Sequence, residues 1–375
     1  AQQDEPELAS IHLQMARTQT AMGNFVEAEE FARKGIQLAE RHALPSLIAE
    51  GHWALGFIST LLGRPDAPAH YQQGIEIGER HDLGWAIQAY AWSAFRHRWR
   101  GEYRQALEAY VRALALARET NNRPRIAFCL MGFAQTHFQN GDWIAAAASW
   151  RQYLTMAQEV PAWVEQARGM LAFLQGDVPE ALGWAEKFIP HAERRREVTS
   201  IVLAVDWCAF LYLRMQRLRE ARQLLAGALE RFTSIGVLWP AFFHPLAAEA
   251  ALSLGDVSSA AEHCRQAETY LWMDIKPAQA RLLKAQGLLL ADRHSWEEAV
   301  TRIREAADIY AAIGQPYDRA RCLESLADVI VAQGGPDDAA PARPLLQEAV
   351  SIYRQLGAEF EVRRIQGSDA GTVPS

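Results

Sequence analysis

The sequence predicts an all-α solenoid of nine helical hairpins, about eighteen helices, closed by a short C-terminal capping helix. Three observations predict it. A short turn motif recurs at steps of 40, 38, 40, 35, 40, 39, 39 and 40 residues, and a fixed period of this size marks a repeat array. Apolar residues recur at three- and four-residue spacing on both sides of each turn, as in "LIAEGHWALGFISTLLG" and "QALEAYVRALALAR". That is the pattern of two amphipathic helices per unit. Lastly, small residues stand at matching places in the units, where paired helices must approach closely.

The units follow in order. A flexible lead of residues 1–6 precedes repeat 7–42, whose turn "GNFVEAE" begins at Gly23. Repeat 47–82 has the degenerate turn "GRPDAPA" at Gly63, and repeat 85–122 has "GEYRQAL" at Gly101. Repeats 124–160 and 161–197 turn at "GDWIAAA" (Gly141) and "GDVPEAL" (Gly176). Repeat 198–236 keeps the shape without glycine, as "QRLREAR" at Gln216, and repeat 239–275 has "GDVSSAA" at Gly255. Repeat 277–314 turns at "HSWEEAV" (His294) and repeat 317–357 at the degenerate "GGPDDAA" (Gly334). "EFEVRRIQ" forms the capping helix of 358–366, and 367–375 reads as a disordered tail. The turn glycine suits a helix end with positive φ, and the Asp, Asn or Glu after it suits a helix start.

Seven residues before the turns stand Ala16, Gly56, Ala94, Ala134, Gly169, Ala209, Ala248, Gly287 and Ala327. Five residues after them stand Ala28, Ala106, Ala146, Ala181, Ala221, Ala260, Ala299 and Ala339, with Pro68 as the exception. This is a packing code and carries no catalytic chemistry.

Composition narrows the function. Lys+Arg is 38 against Asp+Glu 45, a formal charge of −7, which argues against a generic nucleic-acid binder. The run "RHRWRGEYRQALEAY" is basic and aromatic, but Tyr103 is its turn aromatic and Ala106 its helix-contact residue. Arg100 and Arg104 then flank the turn as solvated charges, and other repeats carry Val26, Ile144 and Ser258 where Arg104 stands. Cys129, Cys208, Cys264 and Cys322 are far apart in apolar helical settings, which fits buried thiols and a cytoplasmic location. No stretch approaches 18 uninterrupted apolar residues, so no membrane span is expected. A start without Met and the slack end "GSDAGTVPS" read as a piece of a longer protein.

The small residue of the first helix, the G-x-aromatic turns "GNF", "GEY" and "GDW" and the Ala of the second helix resemble the tetratricopeptide repeat (TPR) family over about residues 7–357. The period near 39 departs from that family's usual 34 and is similar to the long-period arrays of signal-transduction ATPases and MalT-like regulators. The resemblance implies a right-handed superhelix whose first helices line a concave face. Equivalent offsets in successive repeats then form continuous tracks.

Repeats two to six fill those tracks with aromatic and apolar groups. Six residues before the turn stand Phe57, Phe95, Gln135, Met170 and Phe210, and at three residues Arg98 and Phe138. Further tracks carry Trp53, Gln166 and Asp206; Phe128, Trp163 and Leu203; and Trp99 and Arg214. Such a wall has the composition of a binding groove. The expected anchors are Trp53, Phe57, Phe95, Trp99, Phe128, Phe138, Trp163, Met170 and Phe210, with Arg98, Gln135, Asp206 and Arg214 setting orientation. The competing expectation is that a tighter superhelix packs these side chains against its own next turn. The tracks carry Leu288, Asp292, Asp328 and Ala332 in the last repeats, so the C-terminal third should contribute less.

No phosphate loop, H-E-x-x-H or G-x-S-x-G motif is present, so no enzymatic activity and no cofactor are expected. His97 and His137 share an offset in adjacent repeats but have no third ligand, so no metal site is expected. The expected function is an interaction or sensor module that binds a peptide or protein segment in its groove, as the regulatory arm of a larger signalling protein. The alternatives are a pocket for a small effector and a structural scaffold.

Overall fold

The computed structural model describes residues 5–195, 198–233, 236, 238–334 and 340–370. These residues form nineteen α-helices and no strand. The helices pair as nine consecutive hairpins: α1 (Glu5–Met22) with α2 (Phe25–Arg41), α3 (Pro45–Leu61) with α4 (Ala67–His81), and α5 (Leu83–Arg100) with α6 (Tyr103–Glu119). Next come α7 (Arg123–Gln139) with α8 (Trp143–Leu154), α9 (Val164–Leu174) with α10 (Val178–Arg195), and α11 (Val198–Arg214) with α12 (Leu218–Phe232). The last three are α13 (Leu238–Ser253) with α14 (Val257–Glu268), α15 (Lys276–Asp292) with α16 (Trp296–Ile313), and α17 (Pro316–Gly334) with α18 (Arg343–Leu356). Helix α19 (Glu359–Ala370) closes the array. It runs past residue 366, where the sequence reading placed the start of a disordered tail.

Most turns have the predicted chemistry, but Asn24 and Glu102 make no side-chain cap, and Gly334 is the last residue of α17 and not a positive-φ turn. Gly23, Gly63, Gly101, Gly141, Gly176 and Gly255 all have φ between 67° and 87°. Gln216 and His294 hold the same left-handed position without glycine, at φ 57° and 61°. Asp142 Oδ1 accepts a hydrogen bond from the Ala145 N–H at 3.0 Å, and Asp177 and Asp256 cap α10 and α14 likewise. Each satisfies a donor that the helix start leaves orphaned.

The small residues are buried at helix–helix contacts. A Cβ on Gly56 would meet the Tyr71 ring at 2.8 Å, and one on Gly287 would meet Ile303 at 2.4 Å. In the second series Pro68 proves to be an offset: it is exposed, and neighbouring Ala67 is fully buried in its place. The step from turn glycine to buried alanine is therefore four residues in the second hairpin instead of five. Ala339 lies outside the described residues.

The array winds as a right-handed superhelix so tight that its turns rest on one another. Gly236, after the sixth hairpin, lies against Phe25 in the first. Gly63 faces Met273 and Trp272, Gly101 faces Ile313, Gly141 faces Pro316 and Leu356, and Gly176 faces Phe360 of α19. The turn of each early hairpin thus meets the end of the fifth hairpin further on. Arg100 takes part: its Nη1 donates to the Met273 carbonyl at 3.0 Å, and its Nε donates to Glu102. It is half-buried, not the solvated charge expected from sequence, whereas Arg104, Val26 and Ile144 are exposed as expected.

Candidate ligand site

The winding leaves two adjoining chambers along the wall formed by the first helices. One is apolar, with a volume of ≈ 330 Å³. Trp53, Phe57, Trp92, Phe95, Phe128, Met131, Trp163 and Leu203 line it, with Arg17, Gln88 and Ser200 among its polar margin. Its rings form a chain across four hairpins: Trp53–Phe57 at 6.3 Å, Phe57–Trp92 at 4.1 Å, Trp92–Phe128 at 5.2 Å and Phe128–Trp163 at 5.7 Å between centroids. Arg17 donates to Glu50 at 2.6 Å beside it, and burial raises the Glu50 pKa.

The second chamber is smaller, ≈ 90 Å³, and polar. It is lined by Arg98, Trp99, Gln135, Phe138, Gln166, Met170, Asp206, Trp207 and Phe210 from the wall, and by Arg281, Gln315, Tyr317 and Asp318 from later repeats. Leu203 lines both chambers. Arg281 donates to Asp206 at 2.7 Å, and Asp318 lies 3.5 Å from Arg321. Arg98 is only 3% exposed and has no carboxylate within ion-pairing distance among the described residues. Its guanidinium lies 4.8 Å from the Trp99 ring centroid and 5.3 Å from that of Phe95, and its Nη1 donates to Gln139 Oε1 at 3.3 Å. The Arg98 Nε and Nη2, Trp99 and Trp207 Nε1, and Gln135 and Gln166 Oε1 have no hydrogen-bond partner among the described residues. Burial opposes the charge of both arginines. At Arg281 the charge and hydrogen bond of Asp206, with Tyr310 and Asp318, together outweigh it and the pKa rises, while at Arg98 burial prevails over the nearby Tyr110 and Tyr103 hydroxyls and the Asp206 charge, and the pKa falls.

The structure therefore brings twelve of the thirteen sequence-selected residues to these two chambers and separates one. Arg214 is taken up elsewhere, in an ion pair with the fully buried Glu361 of α19. Four of the aromatic anchors also serve the packing alternative: Trp99 meets Trp239 at 5.1 Å and Phe242 at 4.7 Å, Phe95 meets Trp239 at 6.4 Å, and Phe138 and Phe210 meet Tyr317 at 6.5 and 6.1 Å. Sequence reasoning missed Trp92 and Trp207. Both stand nine residues before their turns, a track that a search of every offset reveals. It also missed Trp239, Phe242, Arg281 and Tyr317, which reach the wall only through the winding.

Leu288, Asp292, Asp328 and Ala332 line a separate open groove of ≈ 700 Å³, together with Glu249, Lys284, Arg321 and Glu324. Lys284 donates to Glu249 there at 3.0 Å. His97 and His137 do not converge: each faces its own acid, Glu102 and Asp142. No cluster of three or more metal-ligating side chains occurs among the described residues.

No protein-family model matches the sequence, and no curated protein matches it. Solved structures do match. A Rap protein complexed with Competence and Sporulation Factor aligns at a TM-score of 0.66 and 12% identity, over 93% of this chain and 99% of its own. The Rap conjugation gene regulator of the plasmid pLS20, in complex with the Phr* peptide, aligns at 0.59 and 11%, over 95% and 98%. The apo form of RapI aligns at 0.52 and 15%, over 72% and 99%. These likenesses do not carry the finer resemblance to MalT-like arrays. At such identities they concern the fold, and the fold of this chain is a TPR-like right-handed superhelix.

Proposed function

We propose that this chain is a regulatory sensor module that binds a short peptide inside its superhelix. The observation that carries the reading is the pairing of an aromatic chamber with a polar one whose buried donors and acceptors lack partners. Aromatic surface supplies affinity, and unpaired polar groups penalise ligands that do not satisfy them. A peptide offers both apolar side chains and main-chain donors and acceptors. Two of the fold relatives hold the Competence and Sporulation Factor and the Phr* peptide, which supports the same reading by analogy of fold. A small effector is the second reading, favoured by an apolar chamber of ≈ 330 Å³, within the range of small-molecule sites.

The basic–aromatic run supports no nucleic-acid role: Arg98 is buried, and Arg96 and Arg100 are half-buried. No helix among the described residues is long and apolar enough to cross a membrane. The four cysteines are buried and unpaired, and burial pushes the Cys129 and Cys322 thiols up to about 12. This supports a reducing, cytoplasmic setting. We assign the chain no catalytic role and place it within a larger signalling system.

The test is titration of the full chain with pentapeptide pools, comparing Trp163→Ala with the exposed control Arg104→Ala. Binding lost in Trp163→Ala and kept in the control is expected. Equal affinity in both variants would remove the site from the chambers. Tight, salt-sensitive binding to single-stranded DNA or RNA would replace the peptide reading.

A further inference from the structure

Arg98 stands out from the other charges of the polar chamber. Arg281 holds Asp206, and Asp318 lies beside Arg321, which Glu249 also shares, so Arg98 is the one buried guanidinium lining the chamber with no carboxylate within ion-pairing distance among the described residues. A buried cation without a counter-ion is costly, and proteins normally pair or neutralise it. The two N–H groups left without partners, Nε and Nη2, form one edge of the guanidinium. That edge is the fork that takes the two oxygens of a carboxylate side by side. Cation–π contacts with Trp99 and Phe95 hold the guanidinium in place.

The surroundings restrict what carries the carboxylate. The polar chamber, ≈ 90 Å³, is the smaller of the two, which suits a compact carboxylate-bearing group there and leaves the larger side chains to the aromatic chamber. Gln135 and Gln166 present unbonded Oε1 acceptors beside it, which suit a main-chain N–H. Leu203 joins this chamber to the aromatic one, where the larger side chains fit.

We infer that the ligand is a short peptide that places a carboxylate on the Nε–Nη2 edge of Arg98 and apolar side chains in the aromatic chamber. This rests on the peptide reading above and narrows it. Two sources supply the carboxylate, the free C-terminus of the peptide or an acidic side chain. Binding then provides Arg98 with the close counter-ion that no described residue supplies.

The experiment uses the full chain and pentapeptide pools made twice, with free C-terminal carboxylates and with C-terminal amides, read by melting temperature and by titration of selected peptides. Free-acid pools should stabilise the wild type, and amidation should weaken binding about tenfold or more, as expected for losing one partner of a buried charged pair. In peptides that carry Asp or Glu, a loss on exchange to Asn or Gln but not on amidation would assign the carboxylate to the side chain and support the inference equally. Arg98→Gln should lose the discrimination between charged and uncharged peptides, yet melt no lower than the wild type without peptide, because it removes an uncompensated charge. If that variant does not fold, the acid–amide comparison on the wild type decides alone. Equal binding of charged and uncharged forms, or discrimination retained in Arg98→Gln, overturns the carboxylate and leaves the peptide site standing. No binding of any pool to the wild type overturns both.

Discussion

Tyr103 donates its hydroxyl hydrogen to Gln315 Oε1 at 2.6 Å, across 212 positions of sequence. Tyr103 opens the second helix of the third hairpin, and Gln315 precedes the ninth. Both are almost wholly buried. The bond fastens one turn of the superhelix to the next beside the polar chamber, where Gln315 also bonds Asp318. Tyr103 therefore has two duties: the turn aromatic of its own repeat and a tie between superhelical turns.

Tyr103→Phe keeps the ring and removes the tie. Gln315 Oε1 then loses its donor in a buried setting, which costs about 1–2 kcal/mol. The urea midpoint should fall with an unchanged slope, because the surface exposed on unfolding stays the same. An unaltered midpoint would mean that the turns are not coupled through this bond.

Gln216 and His294 occupy the left-handed turn position that glycine holds in six other repeats. A side chain there costs roughly 1 kcal/mol that glycine does not. Gln216→Gly should therefore raise the melting temperature, against the usual direction for glycine substitutions. A drop would show that the Gln216 side chain contributes more than its backbone strain.

Two glycine-to-alanine changes should act in opposite directions. Gly56→Ala drives a methyl to 2.8 Å from the Tyr71 ring and should destabilise by about 1–3 kcal/mol. Gly183 lies inside α10 with nothing within 4 Å of the added carbon. There Gly183→Ala should stabilise by roughly 0.5–1 kcal/mol through helix propensity. Paired chemical denaturation curves check both.

Acid should destabilise the fold through two equivalent histidine pairs. His52 and His70 approach Nδ1 to Nδ1 at 3.2 Å, and His244 and His263 at 3.0 Å. Burial, then the charge of the partner ring, lowers the pKa of His52 and of His244 to about 4. The unfolded chain binds these protons near pH 6.5 and the folded chain only near pH 4, so stability held above pH 6.5 is lost as the pH falls through that window. The melting temperature should drop across it, and a His52→Asn, His244→Asn double variant should drop less. Parallel profiles would exclude the pairs.

The hairpins were legible because their signals are local. A glycine needed for positive φ, an aspartate that caps the next helix and an alanine that admits a neighbouring helix each act within a few residues, and the period repeats them. Legibility failed where the chain meets itself at long range. The sequence made Arg100 a solvated turn charge, but the Met273 carbonyl, 173 positions away, accepts a hydrogen bond from it. Arg98 and Arg214 read alike as groove cations. Glu361 neutralises one, and no described carboxylate neutralises the other.

The sequence alone determined the number of hairpins and the aromatic character of the first helices, because each depends on residues one or two helical turns apart. Only the tertiary structure decided how tightly the superhelix winds. That winding puts Trp239 and Phe242 against Trp99 and brings Arg281 and Tyr317 to the polar chamber. It divides a continuous track into two chambers, because small rotations between neighbouring hairpins add up over five repeats and no single repeat encodes their sum.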